Sequence, residues 1–151
     1  MNIKEYLSNK GNYGNKRNMN NVKYLVIHYT GNDGDTALNN CKYFRDNVVK
    51  ASAHYFVDDN SIYRSVPDDS NAYSVGTKSG YRHKYCRNSN SLSIEICDTR
   101  RNGTYDFTTK TIANDIILFG ISLSVSNAKA NKFVKAFSSY VVFFISSKIS
   151  A

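Results

Sequence analysis

The segment YLVIHYT (24–30) ends an apolar, β-branched run on an imidazole, His28, and the segment LSIEICD (92–98) sets a carboxylate, Glu95, inside a second such run. Each has an ordinary explanation. A histidine at a strand end is more often a hydrogen-bonded structural residue than a ligand. A glutamate pointing to solvent needs no account at all. An inward-facing Glu95 is different, because a carboxylate among apolar side chains costs several kcal/mol to desolvate unless it is paired or protonated, and such groups are common at functional sites. Glu95 and Glu5 are the only glutamates of the chain. The segment AHYFV (53–57) adds His54 and Tyr55, which alternate in direction along a strand, so only one of them can face a given groove. HKYC (83–86) spaces His83 and Cys86 as a metal site would, but an isolated H-x-x-C also occurs in solvated loops. Cys97 shares a strand face with Glu95 and can approach the same site or simply pack.

The elements that must position these groups follow from pattern. Residues 23–30 form a strand, 31–35 (GNDGD) a turn, and Asp35 is an N-cap candidate for a helix carrying Leu38, Cys41 and Phe44 or Arg45 at helical spacing. The runs 52–58 and 62–67 meet at Asp59-Asn60 and read as a β-hairpin. Residues 76–91 are rich in Gly, Ser, Asn and Arg and form a surface loop. Along 92–98, Leu92, Ile94 and Ile96 lie on one face and Ser93, Glu95 and Cys97 on the other. Residues 108–119 are helical by pattern. The order β, α, β, β, β, α predicts an α/β fold with a central mixed β-sheet flanked by helices, and with 23–30, 52–58, 62–67 and 92–98 in one sheet.

The chain has 151 residues, 41% of them hydrophobic, with 20 Lys+Arg against 12 Asp+Glu and a formal charge of +8. That length fits one domain. Half of the net charge comes from Lys129, Lys132, Lys135 and Lys148 in the acid-free stretch 116–151. A basic surface favours polyanions, among them nucleic acid, anionic membrane and the bacterial wall. No helix-turn-helix, RNP-like motif or zinc-finger spacing supports specific nucleic-acid binding. The longest apolar cluster, YVVFFI (140–145), is far short of a membrane span. Cys41, Cys86 and Cys97 are an odd, sparse set, which argues against a disulfide scaffold. No signal-like apolar run occurs in residues 1–22, so cytoplasmic synthesis is expected, with action on the wall only after release. A monomer is expected.

Taken together, YLVIHYTGN, SAHYFVDDNSIYRSVPDDSNAYSVG and NSNSLSIEICD, in that order, resemble the type 2 N-acetylmuramoyl-L-alanine amidases, a family that includes phage endolysins and is related to peptidoglycan recognition proteins. The resemblance covers about residues 20–118. It divides the chain into an N-terminal arm (1–22), an amidase-like core (23–118) and a divergent tail (119–151). It implies a zinc ion in a groove over one face of the sheet, bacterial peptidoglycan as partner, and hydrolysis of the amide between N-acetylmuramic acid and L-alanine. By the same resemblance His28 is a metal ligand, Glu95 the catalytic acid/base, and Tyr55 or His54 the group that orients water or substrate. A catalytic zinc of this kind takes three protein ligands and a water, whose pKa it lowers.

The resemblance fails at one place. Relatives supply a second His and then a Cys or Asp ligand after the last long helix, whereas nothing after Asp115 here is His, Cys, Asp or Glu. A change of reading frame or gene end near residue 118 would account for such a tail, in which Phe133, Phe137, Tyr140, Val141 and Phe144 still follow helical spacing. The zinc ligand set is therefore incomplete, with His83, Cys86 and Cys97 as possible substitutes. The expected function is a peptidoglycan amidase impaired by missing ligands, with a noncatalytic peptidoglycan-binding module as the alternative.

Overall fold

A computed structural model of the chain describes residues 2–76, 80–81, 83–101 and 104–115. The tail expected over 119–151 lies outside them, as do residues 116–119 of the last expected helix, of which 109–115 are helical. Among the described residues the strands are β1 (Ile3–Glu5), β2 (Tyr13–Lys16), β3 (Tyr24–Tyr29), β4 (Tyr55–Val57), β5 (Ile62–Arg64), β6 (Ser70–Ala72), β7 (Ser91–Ile96), β8 (Thr99–Arg101) and β9 (Thr104–Asp106), and helix α1 spans Ala37–Asp46.

Five strands form the main sheet in the order β1-β5-β4-β7-β3. The pairs β1/β5, β4/β7 and β3/β7 are parallel and β4/β5 is antiparallel, so the sheet is mixed, and the four strands expected from pattern all lie in it. The hairpin closes at Asp58, whose amide donates to the Ser61 carbonyl. Pairing of Phe56 with Glu95 and of Glu95 with His28 puts these three side chains on one face. The alternate residues Leu25, Tyr55, Val57, Ile62 and Ile94 form a buried cluster on the other.

Helix α1 packs on the face that carries Phe56 and Cys97, through Ala37, Cys41 and Phe44, and the Phe44 and Phe56 rings stack 5.5 Å apart. Leu38, expected on that buried face, is only partly covered, and Asn40 takes a buried position instead. The N-cap is Thr36, not Asp35: its hydroxyl accepts from the Asn39 amide. The Asp58 carboxylate accepts from the Ala37 amide, so a free N–H of the first turn meets an anion, as the helix dipole favours.

Of the arm expected over 1–22, residues 2–22 are built into the fold. β1 is an edge strand of the main sheet and β2 pairs with β6. Polar anchoring adds to the apolar packing of Ile3, Tyr6 and Tyr13. The fully buried Asn12 side chain donates to the Phe44 and Asn47 carbonyls and accepts from the Val49 and Lys50 amides. It thereby holds the chain after α1 in a turn where Lys50 takes a φ of 57°, a left-handed conformation costly for a side-chain-bearing residue. Arg17 donates to the carbonyls of Asp68, Asn88 and Ser91 and lies 2.9 Å from His54 Nε2. His54 is fully buried, with Nδ1 3.0 Å from the Ser93 hydroxyl. Its pKa is pushed down to about 3, by burial first and by the Arg17 guanidinium second.

Two measurements check this anchoring. Asn12→Ala leaves four backbone groups without their partner and is expected to lower unfolding free energy by about 2–4 kcal/mol in urea titration, while exposed Asn20→Ala stays within about 0.5 kcal/mol. For His54, an unfolded chain gains a ring proton below the ordinary histidine value of 6.5 and the folded chain does not until about 3, so this ring removes stability as pH falls through that window. A His54→Gln variant, destabilised overall, should show a shallower loss of stability from pH 6.5 to about 4 than the parent. Equal slopes would contradict a neutral buried imidazole.

Candidate functional site

His28 and Glu95 lie directly opposite one another on β3 and β7. His28 Nδ1 is 3.0 Å from Glu95 Oε1, and the side chains are 11% and 2% exposed. The imidazole thus reaches the surface at the edge of the sheet while the carboxylate lies behind it. The contact uses Nδ1, which leaves Nε2 as the ring's outward atom. Glu95 Oε2 is buried without a hydrogen-bond partner. Burial holds the Glu95 carboxyl above the usual carboxylate range, opposed by its hydrogen bond with His28 and reinforced by the nearby charges of Asp35 and Asp98. A half-satisfied carboxyl of raised pKa is suited to taking up and returning a proton.

Asp98 and Asp35 join this site without a sequence motif to announce them. Asp98 accepts from the Thr30 hydroxyl and the Gly31 amide, which ties the chain just past His28 to the chain just past Glu95. Gly34, at a φ of +67°, turns back to donate to the Asp98 carbonyl. Asp35 accepts from the buried Asn40 amide, and burial raises its pKa. The available signal is positional: Thr30-Gly31 and Asp98 follow their paired strands at matching offsets.

The structure does not bring the other candidates to this pair. Tyr55 is on the opposite face of the sheet, where its hydroxyl donates to Asp68 at 2.6 Å. His54 is enclosed between Arg17 and Ser93. His83 packs edge-on against Tyr24, four residues and about 13 Å of strand from His28, and its Nδ1 accepts from the Tyr85 and Cys86 amides, so the H-x-x-C spacing serves a turn. Cys86 is buried, and burial raises its pKa. Cys97 packs in the core under α1 and takes a long contact from Asn40 at 3.6 Å.

The fit of these residues to a zinc ion can be tested by donor count. Every His, Cys, Asp and Glu of the chain falls among the described residues, and among those residues no group of three could hold a metal. His28 is one imidazole donor with Glu95 behind it. Catalytic zinc needs three. The donor set does not fit.

A family model described as N-acetylmuramoyl-L-alanine amidase matches residues 18–119. The N-acetylmuramoyl-L-alanine amidase CwlA of Bacillus subtilis (strain 168) is 32% identical over 98 residues, which cover 64% of this chain and 34% of CwlA. The chain thus spans about a third of that relative's length. Among solved structures, PlyL is similar with a TM-score of 0.65 and 27% identity, over 84% of this chain and 76% of that one. A mutant endolysin from Bacillus subtilis gives 0.64 and 27%, over 84% and 78%. The opposed imidazole and carboxylate on parallel strands, the mixed sheet and the extent of the family match lead to one conclusion: the chain belongs to the N-acetylmuramoyl-L-alanine amidase family.

Proposed function

We propose that this chain acts on bacterial peptidoglycan at the amide between N-acetylmuramic acid and L-alanine, and that its turnover is limited by its missing metal ligands. The observation that carries the reading is the His28–Glu95 pair, 3.0 Å apart at the surface end of an amidase-family sheet. Hydrolysis of an amide requires a proton to leave the attacking water and another to reach the departing amine. Glu95 is the group for both transfers: its Oε2 is unpartnered, and burial makes it a better proton acceptor than a solvated carboxylate. His28 orients that carboxylate through Nδ1 and presents Nε2 outward as the one family metal ligand retained. The Zn2+ implied by the family would need donors beyond those of this chain, so no step is assigned to it.

The same donor count favours a second reading, a peptidoglycan-binding module without turnover. One experiment separates the two. Purified sacculi are incubated with the protein in the presence of added zinc, newly freed L-alanine amino groups are quantified, and bound metal is measured in parallel.

We expect zinc well below one per chain and slow release, reduced a further ~100-fold or more by Glu95→Gln, as for loss of a general acid/base. Release unchanged by Glu95→Gln would remove the proposed role. Binding to sacculi with no release by the parent protein would leave the binding module. One tightly held zinc per chain would show that the donor count misses a ligand arrangement the protein adopts with metal.

A further inference from the structure

The charges of this basic chain are segregated along the strands. The acids that follow the parallel strands, Asp33 and Asp35 after β3, Asp58 and Asp59 after β4, and Asp98 after β7, gather at the sheet end that carries His28 and Glu95. The other end is different. No acid occurs between Glu5 and Asp33 or between Asp69 and Glu95. These two stretches meet there: the Lys23 amide donates to the Asn90 carbonyl, and Tyr24 packs on His83. Of the acids toward that end, Asp69 is engaged by Lys16, Asp68 by the Tyr55 hydroxyl and Arg64, and Glu5 by Arg64, while Asp46, at the end of α1, is exposed.

On this basic end the surface is aromatic. Tyr81 is 49% exposed and Tyr85 60%, and each ring carries a cation, Arg87 at 4.1 Å from Tyr81 and Lys84 at 5.1 Å from Tyr85. Residues 83–90 are tied together. Arg87 donates to the carbonyls of His83, Lys84 and Cys86, and Asn90 donates to that of Tyr85. Large exposed rings with cations beside them, in a stretch whose sequence from 70 to 94 holds no acid, suit a ligand that alternates apolar sugar or polyol faces with negative charges.

We propose that Tyr81, Lys84, Tyr85 and Arg87, with Lys23 beside them, form a docking surface for an anionic wall polymer of phosphodiester-linked sugar or polyol units. The assignment rests on the peptidoglycan reading above for its choice of polyanion. The phosphates meet the exposed Lys84 and Lys23, with the charge of the bracing Arg87 behind them, and the polymer carbons lie on the tyrosine rings. Because the aspartate-rich end repels the same polymer, docking is directional: it holds the His28–Glu95 end away from the phosphates.

The test uses the full chain and its Lys84→Glu/Tyr85→Ala variant, both side chains being exposed and neither making a side-chain hydrogen bond among the described residues. Cosedimentation is measured with intact walls, and with the same walls after acid extraction of phosphodiester-linked polymers. Titration with purified poly(glycerol phosphate) and with a single-stranded oligonucleotide of equal charge runs alongside. We expect the variant, shown to fold by its melting curve, to lose about tenfold in affinity for intact walls and for poly(glycerol phosphate), with a weaker salt dependence, and to match the parent on extracted walls. Parent binding that is equal on intact and extracted walls, or a variant that binds intact walls like the parent, would overturn the proposal. So would tighter binding to the oligonucleotide than to poly(glycerol phosphate). Failure of the peptidoglycan reading is seen separately, as loss of parent binding to extracted walls.

Discussion

Everything distinctive about this domain depends on the parallel pairing of β3 with β7. Six consecutive residue pairs run from Tyr24–Ser91 to Tyr29–Ile96, and the fifth sets His28 against Glu95. A slip of one residue would turn either side chain to the other face, where Leu25, Tyr55 and Ile94 form an apolar cluster. Register is fixed by burial on both faces and locked beyond the strands by the contacts of Asp98 with Thr30 and Gly31. The carboxylate can therefore be held in a low-dielectric place because the strand that carries it has no other register to occupy.

A second constraint works through buried polar groups. Asn12 and Arg17 gather backbone carbonyls and amides from α1, the following turn, the loop after β5 and the start of β7. Each of these groups would be costly to bury unpaired, so the N-terminal segment is required by the core instead of decorating it. Its composition conceals this. Asn, Gly and Lys over residues 7–22 have the look of a solvated linker, and no apolar period reveals that Asn12 is fully buried.

What is legible in the sequence is what repeats with a period. Alternation along 92–98 places Glu95 and Cys97 on one face, and the apolar runs mark four strands of the main sheet and its hairpin. Capping is ambiguous by one position, since Thr36 and Asp35 are both competent N-caps and the side-chain bond from Asn40 engages Asp35 instead. Tyr55 and His54 cannot be placed from the pattern, because the face each occupies depends on pairing with Ile94 and on the reach of Arg17 from the N-terminal segment. The carboxylates around Glu95 are hidden for the same reason: Asp35 and Asp98 come together only through the fold.

All three cysteines are free and buried, and burial pushes the Cys41 thiol up to about 12. A thiol so far from ionisation and solvent is a poor nucleophile and a poor substrate for oxidants. The fold has no crosslink to form after synthesis and none to lose. Its stability is accordingly independent of the thiol–disulfide poise of its surroundings.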